Sequence, residues 1–167
     1  MTYEWPLYFC LFLALWSAIV GGVFSAFSEF IMSALSKTEA SGAIEAMQHI
    51  NRDVIRTQFV AGILCIALFS FLFTLYSLAA FEGAARTVLV LAALVYLPSV
   101  FFMTMVGNVP MNNRLESLDH RSEEARAYWG EYAEKWTRLN HVRSLGSVLT
   151  AGLYTVAAVT LITSGQV

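Results

Sequence analysis

Charge is what this 167-residue chain has least of. Asp, Glu, Lys and Arg make up 13% of it, about half of what a soluble domain carries, so a water-soluble globular enzyme does not fit. There is no basic block interleaved with aromatics, which excludes an electrostatic nucleic-acid surface. Cysteine is reduced to two residues. Cys10 and Cys65 sit in different apolar runs at different depths, so disulfide geometry is out of reach, and both read as small buried hydrophobes. No G-x-G-x-x-G follows a strand, so the chain carries no flavin or dinucleotide fingerprint. No basic stretch precedes the first apolar run, which therefore reads as a retained span and not a cleaved signal peptide.

Apolar residues fill the space that charge leaves, at 57% of the chain. Long apolar runs cover 5–35, 54–81, 87–106 and 144–163. About 20 apolar residues cross a bilayer as a helix. The expectation is all-α: a single-domain integral membrane four-helix bundle over 1–167, with polar loops at 36–53 and 107–143. The first two runs exceed the need and are expected to tilt or protrude. Of ten Lys and Arg, only Arg86 lies on the side shared by the second loop and the termini. The positive-inside rule then puts loops 1 and 3 in the cytoplasm and both termini outside the inner or plasma membrane.

Several local patterns sharpen this picture. Ser17, Gly21, Ser25 and Ser28 form a small-residue stripe for close helix approach, within the chain or between protomers as a homo-oligomer. Glu29 lies near the inner end of the first span, as an interfacial acid or an ion-pair partner. "SKTE", from Ser36, has the form of a capping box ahead of a helix through "EAMQHINRD". Glu45, His49 and Asp53 share one face of that helix, as a solvated stripe or a weak candidate metal face. "FEGAAR" is a turn. Pro98 is expected to kink the third span, and Ser122 with Glu123 and Glu124 reads as a helix start running on into the fourth span.

Trp129, Tyr132, Trp136, Asn140 and Arg143 fall at offsets that share a sector of roughly 80°, opposite Glu131, Glu134, Lys135 and Arg138. An interfacial belt explains the aromatics but not an amide and a guanidinium on the same face. "GNVPMNNRL", from Gly107, reads as the end of the third span, at the membrane face where Asn140, His141 and Arg143 enter the fourth. "MQHIN", ending at Asn51, reaches that face too. Asn can satisfy freed carbonyls where a helix stops, so a cap with an interhelical hydrogen-bond network is one reading. A half-wet pocket with oxyanion donors and aromatic walls is the other.

"GVFSAFSEFIMSAL", "AMQHIN", "NVPMNNRL" and "W…Y…W…NHVRS", in this order, resemble the anthrone oxygenase-like family of small membrane proteins, from the first span to the start of the fourth. The motif positions map to Asn51, Asn108, Pro110, Asn112, Trp129, Trp136, Asn140, His141 and Arg143. The resemblance implies a four-helix membrane protein that oxidises an anthrone to an anthraquinone with O₂. An anthrone anion can itself pass an electron to O₂, so no cofactor is required. In that reading His141 is the base, and Arg143, Asn140, Asn108 and Asn112 hold the developing oxyanion. Asn51 lines the site, and Trp129, Tyr132 and Trp136 stack an apolar aromatic substrate. A rival reading binds a metal through His49, His141 and Asp53 or Glu29, like a facial triad, with His120 left on the surface. A non-enzymatic scaffold or partner subunit is the third. Transport fits least, since no span is broken at mid-depth.

Overall fold

A computed structural model describes residues 4–167. It is all-helical and its long helices run up and down the bundle. Helix α1 spans Trp5–Leu35, α2 Ala40–Val54, α3 Gln58–Ala80, α4 Gly83–Glu116 and α5 Glu123–Thr163. All but α2 are long and apolar enough to cross a membrane. Leu15, Leu94 and Leu145 are more than half exposed, the surface a bilayer covers. The chain is a multi-pass helical membrane protein.

The helix ends follow from local chemistry. Pro6 sits in the first turn of α1, where its missing N–H costs nothing. Gly83 takes φ +60° in the α3–α4 turn, a conformation that favours glycine. The Gln166 side chain closes this turn, accepting from the Glu82 amide at 3.0 Å and donating back to the Glu82 carbonyl. Ser122 caps α5, its Oγ accepting from the Ala125 amide at 3.0 Å, as the sequence predicts. The capping box at Ser36 does not form. The Ser36 hydroxyl turns back to the Met32 carbonyl at 2.9 Å and closes α1 instead.

The small-residue stripe packs inside the chain. Ser25 shares a hydrogen bond with Ser144, and a methyl on Gly21 would come within 3.1 Å of Val148. The residues offered for association between protomers are thus covered by α5. Gly146 is placed more tightly still, since a methyl there would overlap the Ser99 hydroxyl. These two glycines let α5 lie close to α1 and to α4. Cys10 is buried and Cys65 exposed, both as free thiols.

"GNVPMNNRL" is not a helix end. Helix α4 runs straight through it to Glu116, and the polar loop expected at 107–143 shrinks to residues 117–122. The reason lies in its hydrogen-bond register. The helix widens into π turns at Leu97–Phe102 and Thr104–Asn108, one at Pro98 and one ahead of Pro110. A proline removes one N–H and crowds the preceding turn, and a π turn absorbs both without stopping the helix. A third π turn, Phe27–Ile31, widens α1 at the same end of the bundle.

Candidate functional site

The three π turns border a partly open cavity of about 350 Å³ lined by all five helices. Helices α3 and α4 pack together from their turn as far as Phe102 and then part, which opens this space. Apolar side chains dominate its wall, with Phe24 from α1, Phe59 and Ile63 from α3, and Phe101 and Met105 from α4. Among its polar lining residues are Asn51, Thr104, Asn108, Asn112 and Arg143, with Arg52 and Glu116 beside them.

Arg143 is 5% exposed. Its guanidinium lies 4.3 Å above the Phe24 ring and 5.1 Å from that of Trp136. Nη2 donates to Asn140 Oδ1 at 2.7 Å, Nη1 reaches Thr104 Oγ1 at 3.5 Å, and Nε has no partner. Among the described residues no ion pair includes it. A buried cation without a counter-charge is costly, and here it borders an open cavity.

Asn140 stands behind that cation and outside the cavity lining. Its amide donates to the Phe24 carbonyl and the Ser28 hydroxyl, each at 2.6 Å. Its oxygen is thereby turned toward Arg143. Asn140 orients the guanidinium; it does not face the space itself, as direct oxyanion binding requires.

The remaining asparagines divide their work. Asn112 Oδ1 accepts from both the Tyr132 hydroxyl at 2.9 Å and the Trp136 indole at 2.8 Å. Asn108 is 1% exposed and donates to the Trp136 carbonyl at 3.2 Å, leaving its Oδ1 without a partner. The Asn51 amide nitrogen is also buried and unpaired. Gln48 serves the Leu115 carbonyl in the last turn of α4 and the Leu118 carbonyl just beyond it, donating at 2.8 and 2.9 Å. That is the capping role the sequence assigned to the asparagines.

The aromatic stripe is buried as expected, and Trp129, Tyr132 and Trp136 stack in series with interplanar angles of 19° and 25°. Only Trp136 lines the cavity. Trp129 and Tyr132 back it from the sub-core shared with α2 and cannot themselves sandwich a bound ring.

His141 is the main correction. It is exposed and absent from the cavity lining. One residue along a helix is a rotation of about 100°, so with Asn140 and Arg143 facing in, His141 faces out. The metal reading fares no better with its assigned ligands. His49, Asp53 and Glu29 are exposed, and no group of three His, Cys, Asp or Glu side chains converges among the described residues. His120 is half-buried, with ring nitrogens 3.9 Å from Glu45 and 3.8 Å from Asp119.

Thr104 and Glu116 had been missed. Thr104, Asn108, Asn112 and Glu116 recur every fourth residue and all line the cavity. The spacing was visible, but reading the segment as a loop hid it.

Fold and site together define a four-span helical membrane protein with an apolar cavity at one end, edged by amides and an uncompensated arginine. The chain belongs to the anthrone oxygenase family, whose model matches residues 52–153. The match takes in Asn108, Asn112 and Arg143; Asn51 and all of α1 lie outside it, so it is narrower than the motif resemblance. No curated protein and no solved structure matches the chain.

Proposed function

We propose that the cavity binds a planar anthrone-like aromatic and promotes its oxidation by O₂, with Arg143 holding the oxygen on which negative charge develops. The observation that carries this reading is the buried guanidinium without a carboxylate, set in an apolar wall beside empty space. An anion entering from outside supplies the missing charge, and a low-dielectric site strengthens that attraction. Asn51 and Asn108 line the same space, each with one side-chain atom that has no partner. Trp136, Phe24 and Phe59 supply ring faces.

The chemistry balances without a further reactant. An anthrone loses a proton to become an electron-rich anion. The anion passes an electron to O₂, and the pair combines at the ring carbon as a peroxide. Loss of water then leaves the quinone carbonyl. One oxygen atom stays in the anthraquinone and the other leaves in water with the two hydrogens of that carbon. With loops 1 and 3 in the cytoplasm, the cavity belongs to the inner half of the membrane, and the parting of α3 and α4 gives an apolar substrate a route from lipid.

The test is O₂ uptake by purified, chelator-treated protein given a simple anthrone, corrected for autoxidation. Arg143→Met, which keeps length and helix propensity, should lower the rate by about 10²–10³-fold. Its thermal midpoint should stay near wild type, because an apolar replacement relieves the buried charge. Full activity in Arg143→Met sinks the oxyanion role. A rate that appears only after iron or copper is restored favours a metal-dependent oxygenase. No rate under any of these conditions favours a membrane scaffold.

A further inference from the structure

With His141 on the outside, the cavity needs another proton acceptor, and its lining holds one carboxylate among the described residues, Glu116. The Thr104–Asn108–Asn112–Glu116 ladder runs along one face of α4. Its first member meets the Arg143 guanidinium, and Glu116 stands at the other end. In an anthrone the carbonyl and the acidic C–H occupy opposite corners of the central ring. Oxyanion donor and base must therefore stand at opposite ends of the site, as Arg143 and Glu116 do.

The two carboxylate oxygens of Glu116 are unequal. Oε1 accepts from Arg52 Nη1 at 2.7 Å. Oε2 is shielded from solvent and has no partner. An ion pair that served only to tie α2 to α4 would leave its second oxygen to water or to another donor. Here the first oxygen is pinned and the second kept free.

We propose that Glu116 is the catalytic proton acceptor of this site, with Arg52 as its positioning residue. The assignment rests on the reading of the cavity as an anthrone site. The ring C–H bond breaks and its hydrogen passes as a proton to Oε2, forming an O–H bond. The electron pair stays on the ring carbon and spreads to the carbonyl oxygen held by Arg143. The side chains of Glu116 and Arg52 are 36% and 48% exposed, so the proton reaches water once the carboxyl group turns Oε2 outward.

Proton abstraction can be read without O₂. Under anaerobic conditions in D₂O, wild-type protein should exchange the methylene hydrogens of bound anthrone for deuterium, followed by mass spectrometry. Binding is followed separately by quenching of tryptophan fluorescence. Glu116→Gln keeps an acceptor for Arg52; it should bind anthrone as wild type does and lose at least about 100-fold in exchange rate. Glu116→Asp should recover part of the rate, and Arg52→Gln should lose less than Glu116→Gln. Wild-type exchange in Glu116→Gln overturns the assignment, as does a wild-type protein that binds anthrone without accelerating exchange. A wild-type protein that does not bind anthrone overturns the functional reading, and this assignment with it.

Discussion

The end of the bundle that holds the termini and the end that holds α2 use the same four spanning helices and treat polar groups differently. Toward the terminal end Tyr154 donates to Ser70 at 2.8 Å. The groups left over toward that end are neutral hydroxyls, such as Ser17 and Ser147. At the α2 end the unpaired atoms belong to Asn51, Asn108, Glu116, His120 and Arg143. A hydroxyl or amide buried without a partner costs about 1–3 kcal/mol, and a charge buried without one costs far more. The π turns fall between residues 27 and 31 and between 97 and 108, so they too mark the α2 end. One half of the molecule is closed for stability, and the other is held open at a cost that a guest would offset.

Gly146 lies at the seam and tests the closed half with the largest stability effect. Gly146→Val forces two methyl groups against Ser99 and Val100. The expected loss is about 1–3 kcal/mol or more, read as a lower midpoint of thermal unfolding in detergent. Arg143→Met in the same assay should hardly move. If the two variants behave alike, the division into a closed and an open half is wrong.

Asn112 tests the open half from the structural side. Asn112→Leu removes the shared acceptor of Tyr132 and Trp136 and strands two donors, at about 1–3 kcal/mol. Tyr132→Phe in that background removes one stranded donor and should restore part of the loss. A double variant no more stable than Asn112→Leu would show that the Tyr132 hydroxyl finds another acceptor.

How much of this could be read beforehand depended on whether one helix period was unbroken. Between Glu123 and Thr163 no proline interrupts the count, so the buried stripe from Trp129 to Arg143 was legible by simple angle. The four spans were legible for the same reason. In α4 the count fails twice, because π turns at Pro98 and ahead of Pro110 add residues that a 3.6 period does not allow for. "NVPMNN" therefore looked like an ending, and Glu116 was left in a loop. At Ser36 a side chain had two backbone groups in reach, and it bonded backwards to Met32; composition does not decide that choice. The face of Glu45, His49 and Asp53 forms as the spacing requires, but His49 and Asp53 are exposed and Glu45 meets His120 at 3.9 Å, with no group of three ligands among the described residues.

His141 gives the smallest expected effect and the sharpest separation between sequence neighbourhood and spatial neighbourhood. It lies one residue from Asn140 and two from Arg143, and histidine is the side chain used most often as a general base. A helix puts that adjacency on opposite surfaces, since about 100° separates consecutive side chains. Asn140 is tied to Phe24 and Ser28, so the helix cannot turn to bring His141 inward without breaking both bonds and exposing Arg143. His141→Gln should leave anthrone-dependent O₂ uptake and the thermal midpoint at wild-type values. A loss comparable to that of Glu116→Gln would mean that α5 rotates when substrate binds, and that the open half is built to move.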